Sequence, residues 1–200
     1  MSNQVLNLIS KRRSVYAIGK NVTQSTEYLT QLIQDVVKQS PSSFNSQSSR
    51  VVILFNQAHS DFWAFVDQTL QQYAKDEASA QKTAAKIASF EAGFGTVLFF
   101  EDQTVIENLQ AQFPAYAENF PIWSEHSTAI AQFATWTALT EEGLGASLQH
   151  YNPIVDHLIH EKWDIPTTWK LRAQLVFGSI EAPANEKTYI DDATRFKVFH

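Results

Sequence analysis

Three groups of side chains in this 200-residue sequence have the donor types needed to hold a phosphate or a flat polar heterocycle. The first is Lys11, Arg12 and Arg13 followed by Ser14. Arginine presents paired donors that match phosphate oxygens, and a serine hydroxyl adds another. The same residues also suit a solvated basic cap at a helix C-terminus, where the helix dipole favours cations. The second is Pro41-Ser42-Ser43-Phe44-Asn45-Ser46-Gln47, rich in short donors and acceptors and placed just before a buried-looking strand. Its amides and hydroxyls can face a ring or a polyol chain, although an ordinary serine-rich connection has the same composition. The third is Arg195-Phe196-Lys197, two cations around an apolar anchor near the chain end. Chain ends fray unless something ties them down, and a shared anion would do so. A solubilising charge pair is the alternative.

Other chemistries are excluded by residue type or spacing. With no cysteine in the chain, thiol nucleophiles, disulfides and Cys-ligated metals are absent. His157 and His160 share a segment at i and i+3 but lack a third ligand and the i, i+4 spacing of zinc hydrolases, so no metal is expected. Glu141 and Glu142 are adjacent and point apart on a helix, so they cannot flank one bond. Gly93-Phe94-Gly95 lacks the third glycine of a dinucleotide fingerprint, and no Gly-x-Ser-x-Gly elbow occurs. A net charge of -6 with scattered Lys and Arg argues against a nucleic-acid partner. Apolar runs such as Val51 to Phe55 are far below the ~20 residues that span a bilayer. Leu6, Leu8 and Ile9 precede the basic residues, the reverse of a secretory signal, so a cytoplasmic protein without membrane contact is expected.

The elements that must position these groups read from periodicity. Tyr28, Leu29, Leu32, Ile33, Val36 and Val37 give a helix starting near Ser25 or Thr26 and stopped by Pro41. Val51 to Phe55 and Thr96 to Phe100 read as buried strands. The stretch from Phe62 to Phe90 is mostly helical by pattern, and Ala129 to Leu139 forms a helix apolar on most sides, hence buried. Gly143 and Gly145 end that helix before a short strand from Ala146 to His150, a helix from about Ile154 to Lys162, and a strand through Leu171, Ala173, Leu175 and Phe177. Helices and strands interleave without an internal repeat or a long linker, which makes residues 1–200 a single domain of α+β or α/β class.

Taken together, Arg12-Arg13-Ser14, Pro41 to Gln47, Glu141 to Asn152 and the basic pair at the end resemble the FMN-dependent nitroreductase family over nearly the whole chain. Gly143 to Asn152 and Phe94 to Asp102 resemble the branch that includes fungal fatty-acid-response proteins and bacterial copper-induced nitroreductases. The resemblance implies an α+β three-layer sandwich, with a central, mostly antiparallel sheet flanked by helices, and a homodimer carrying FMN at its interface. It places Arg12, Arg195 and Lys197 on the FMN phosphate, Arg13 and Ser14 on phosphate or ribityl oxygens, and Pro41, Ser42, Ser43 and Asn45 of the other subunit along the ribityl chain and ring edge. Backbone from Leu148 through Gln149 to His150 would run beside the flavin ring, where the wider family often has an acid followed by glycine. Tyr16 stands where the family often has a basic residue, and its mid-chain asparagine has no counterpart here. Phe44, Trp123 and Tyr151 are candidates to line an acceptor pocket. The implied activity is hydride transfer from NADH or NADPH to flavin N5, then reduction of a small nitroaromatic or quinone-like acceptor in a ping-pong cycle. Flavin-binding regulatory or stress-response proteins, and an acidic interaction domain without cofactor, are the other classes consistent with the sequence.

Overall fold

Local chemistry sets the boundaries of most elements. The chain is described here by a computed structural model covering residues 3–200; Met1 and Ser2 of the expected 1–200 unit lie outside the described residues. Asn3 accepts from the Leu6 amide and opens α1 (Gln4–Lys11), and a short strand β1 (Ile18–Gly19) follows. Ser25 caps α2 (Thr26–Gln39) through the Tyr28 amide, and Pro41 prevents its continuation. β2 (Ser49–Phe55) runs directly into α3 (Asn56–Gln71), so the helical stretch begins before Phe62. It does not continue to Phe90 as one helix: a turn at residues 72–75 and the Asp76–Ser79 capping box start a separate α4 (Glu77–Glu91).

β3 (Gly95–Asp102) is followed by α5 (Gln103–Gln112), opened by the Asp102 carboxylate accepting from the Thr104 amide at 3.1 Å. The periodicity of α5 is weak, because only Ile106 is buried. α6 (Phe120–Glu141) ends at Gly143, whose φ of 77° suits glycine alone, and β4 (Gly145–Gln149) begins at once. α7 (Asp156–Trp163), β5 (Trp169–Ile180) and the short α8 (Asp192–Arg195) complete the chain.

β2, β3, β5 and β4 lie side by side in that order with every neighbouring pair antiparallel, and β1 pairs with the last residues of β5. A Cβ on Gly178 would stand 2.2 Å from the Gly19 carbonyl, so glycine is required for that last pairing. The period of two decides the layers. Val97, Phe99, Leu175 and Phe177 pack with Leu29 and Ile33 of α2 and Ala131 and Leu139 of α6. Leu98, Phe100 and Val176 point the other way, onto Phe62, Trp63 and Val66 of α3, Ile87 and Phe90 of α4, and Ile159 of α7. The result is the expected α+β sandwich of two helical layers about an antiparallel sheet. Of the residues singled out for chemistry, Ser14 and the Leu148–His150 segment lie along β4, the Pro41–Gln47 loop precedes β2, and Arg195 and Lys197 follow β5 on the C-terminal tail.

Candidate functional site

Arg12 follows the last turn of α1 and donates its own amide to the Leu8 carbonyl at 3.1 Å. Its guanidinium lies over the Trp136 ring, 4.3 Å from the centroid, and 5.7 Å from that of Phe133. Among the described residues no carboxylate or carbonyl accepts from it, and its Nε is buried without a partner. Burial, with the neighbouring Arg13 charge, pulls its pKa below the usual arginine value. A half-buried cation held flat on an aromatic face without an acceptor is suited to an anion brought from outside. Arg13 donates to the Asn185 carbonyl, tying the root of the C-terminal tail to this end of α1. Ser14 forms a parallel bridge with Ala146, and the Val15 amide donates to the Ala146 carbonyl at 2.9 Å. The basic segment is thereby stitched to the edge of β4.

The far end of β4 carries Leu148, Gln149 and His150. Leu148 packs on the α2–α6 layer, Gln149 donates to the Ser147 hydroxyl at 3.0 Å, and His150 is exposed. The next residue, Tyr151, donates its amide to the buried Gln174 side chain at 2.7 Å. Its ring packs in the opposite layer, 5.9 Å from Trp63 and 6.2 Å from Phe90, where burial pushes its hydroxyl pKa up.

The loop from Pro41 to Gln47 makes a single 3-10 turn at Ser43–Asn45, in which the Asn45 and Ser46 amides donate to the Ser42 and Ser43 carbonyls. Phe44, Asn45 and Gln47 all have left-handed backbone, with φ of 56°, 50° and 48°. Such conformations cost about 1 kcal/mol or more apiece, and they persist only where the surroundings fix them. Part of the fixing is aromatic: the Phe44 ring lies 5.0 Å from Phe113, 5.3 Å from Phe120 and 6.1 Å from Trp123, nearly parallel to the last. Phe44 and Trp123 therefore meet, while Tyr151 stands apart from them. The Ser42 hydroxyl accepts from the Gln47 amide at 2.9 Å, and Pro41, Ser42, Gln47 and Arg50 line a recess of about 430 Å³.

Arg195 and Lys197 sit on an exposed tail with Tyr189, Ile190, Phe196, Val198 and Phe199, and the Arg195 guanidinium lies 5.6 Å from its neighbour Phe196. Among the described residues neither cation hydrogen-bonds to the surroundings of Arg12. One residue escapes sequence reasoning. Lys86 of α4 places its ammonium 4.6 Å from the Tyr16 ring centroid, bringing a cation to the position where the resembled pattern has one in the chain itself. Lys86 and Tyr151 line a recess of about 510 Å³ with Leu70, Tyr73 and Ile87. Nothing local distinguishes Lys86 from the other lysines of its Ala-rich segment; only the α4 contact reveals it. Among the described residues no cluster of His, Asp or Glu could hold a metal ion, and no helix is long and apolar enough to cross a membrane.

A family model described as the nitroreductase family matches residues 9–179. HBN1 of Saccharomyces cerevisiae is 39% identical over 189 residues, 92% of this chain and 92% of that protein. The nitroreductase FRM2 of the same yeast is 35% identical over 197 residues, 98% of this chain and 96% of that one. Nitroreductase CinD of Lactococcus lactis, solved with nicotinic acid, is 48% identical with a TM-score of 0.91, covering 98% of this chain and all (100%) of that chain. It has also been solved with chloramphenicol and with 4-nitrophenol. A nitroreductase with bound FMN from Desulfitobacterium hafniense shares the fold over 100% of both chains, at a TM-score of 0.72 and 15% identity.

Proposed function

The chain belongs to the nitroreductase family and is an oxidoreductase, and from that premise we propose that it binds FMN between two copies of itself and reduces small nitroaromatic or quinone-like acceptors with NADH or NADPH. FMN, when bound, would supply the two-electron redox chemistry between the nicotinamide and the acceptor.

The chain's own residues bind and orient. Arg12, fixed on Trp136 without an acceptor, fits the phosphate, and this single observation carries the reading. Arg195 and Lys197 join it from the tail, whose root Arg13 holds through Asn185. Ser14 meets phosphate or ribityl oxygens. Pro41, Ser42, Ser43 and Asn45 of the second copy meet the ribityl chain and ring edge, and the backbone from Leu148 through Gln149 to His150 borders the ring. Lys86 supplies positive charge beside Tyr16. Phe44 and Trp123 offer flat apolar faces to an aromatic acceptor, whereas Tyr151 packs on Trp63 and Phe90 in the opposite layer and stands apart from them. The CinD complexes with 4-nitrophenol and chloramphenicol support the acceptor class.

Exposed apolar side chains support the pairing of two copies. Val5 and Leu6 of α1, Ile130 and Phe133 of α6, and Tyr189, Ile190, Val198 and Phe199 of the tail are uncovered in one chain. The test is steady-state kinetics on the purified protein, with NADH or NADPH varied against 4-nitrophenol. Nicotinamide oxidation that depends on the acceptor, with parallel double-reciprocal lines, is the expected result. Intersecting lines contradict the shared site, and absent turnover contradicts the activity.

A further inference from the structure

At the foot of the Pro41–Gln47 loop, two successive serines reach one buried carboxylate. Ser48 and Ser49 donate their hydroxyls to Glu101 Oε2 and Oε1, each at 2.6 Å. Successive side chains of an extended strand point to opposite faces, so both can reach one carboxylate only if the chain turns between them. It turns there: Ser49 is already in register opposite Glu101 on β3, whereas Ser48 directly follows the left-handed Gln47. The next β3 residue grips the same junction, since the Asp102 amide donates to the Ser48 carbonyl at 3.0 Å and the Asp102 carboxylate pairs with Arg50 at 3.0 Å. Arg50 in turn donates to the Gln47 carbonyl.

Glu101 is fully buried and among the described residues has no cation of its own, because Arg50 is engaged by Asp102 and Arg172 by Glu125. A buried lone carboxylate is costly, and an apolar side chain of similar size would serve the fold as well or better. The geometry points to Glu101 as a positioning residue for the cofactor: through Ser48 and Ser49 it sets how the 41–47 loop enters β2 and so the affinity for FMN. This rests on the proposal that the loop faces the flavin. Burial, with a smaller contribution from the Glu125 charge, raises the Glu101 carboxyl above the usual glutamate range. Replacing the buried polar cluster by apolar side chains of similar size removes that burial cost and should not weaken the fold, which separates positioning from structural support.

The experiment measures FMN binding to deflavinated protein by flavin fluorescence, the visible circular dichroism of bound FMN, and the melting temperature, for the wild type, Glu101→Gln and the triple variant Ser48→Ala/Ser49→Ala/Glu101→Met. The triple variant removes the carboxylate and both serine hydroxyls that bond to it together, leaving the Thr128 hydroxyl without a hydrogen-bond partner as it already is in the wild type. The triple variant is expected to melt at or above the wild-type temperature, and both variants to bind FMN about 10-fold or more weakly, the scale on which supporting shells act, and to show an altered flavin dichroism. FMN affinity within twofold of wild type in either folded variant overturns the proposal, as does weaker binding that merely follows a lowered melting temperature. A wild-type protein that takes up no FMN overturns the cofactor reading, and this inference with it.

Discussion

At the residue scale the account turns on Arg12, whose donors have no protein acceptor among the described residues while its planar group is fixed against Trp136. A charge-assisted contact to phosphate contributes about 1.5–3 kcal/mol. Arg12→Ala should therefore weaken FMN binding roughly 10- to 150-fold, read as flavin content after gel filtration or as a dissociation constant. Arg12→Lys should recover only part of it, because a lysine neither lies flat on an indole nor presents a paired fork. Unchanged flavin content in both variants would remove Arg12 from the phosphate site. Arg12, Arg13 and Ser14 are legible in the sequence because their chemistry is contiguous. Lys86 and Glu101 are not: the first matters only because α4 brings it over Tyr16, and the second only because strand pairing sets it opposite Ser49.

At the element scale the outer helical layer is locked to the sheet by one buried polar group. The Thr96 hydroxyl accepts from the Trp63 indole at 3.0 Å and meets His59 Nδ1 at 2.9 Å, while His59 Nε2 lies 3.1 Å from the Glu91 carbonyl. The carbonyl requires the proton on Nε2, so Thr96 donates to Nδ1 and the ring is neutral. Thr96→Val strands both partners and should lower stability by about 1–3 kcal/mol for each, seen as a lower denaturant midpoint at constant slope. Burial depresses the His59 pKa. The unfolded chain then takes up its proton first, so this contribution to stability is complete above about pH 6.5 and is lost as pH falls below it. An NMR titration should place the His59 midpoint below the free-histidine value; a midpoint at or above that value would contradict the assignment. Elements of this size read well from sequence where caps and periodicity agree, as in α2 between Ser25 and Pro41. They read poorly where little is buried. α5 hides only Ile106, β1 is two residues long, and the break between α3 and α4 depends on Asp76 acting as a cap rather than as one more charge in a helical run.

At the scale of the whole molecule, the interleaving of helical and strand periods narrowed the class to α+β or α/β and the family resemblance implied the α+β sandwich, but neither said how the two chain ends meet. The tail leaves β5 beside Arg13 and then presents Tyr189, Ile190, Phe196, Val198 and Phe199 to solvent, an arrangement a lone chain gains nothing from. On the proposed pairing, the exposed faces of α1 and α6 of a second copy would cover those side chains. Deleting residues 187–200 should therefore lower both FMN retention and the dimer fraction at a given concentration, measured by sedimentation. A truncated protein that stays dimeric and fully loaded would show that the tail does neither. The most direct test of the central claim is a native mass spectrum of the purified full-length protein. A dimer of the 22.6 kDa chain carrying two FMN molecules is the predicted result. A species without FMN that stays unloaded after incubation with excess FMN would contradict it.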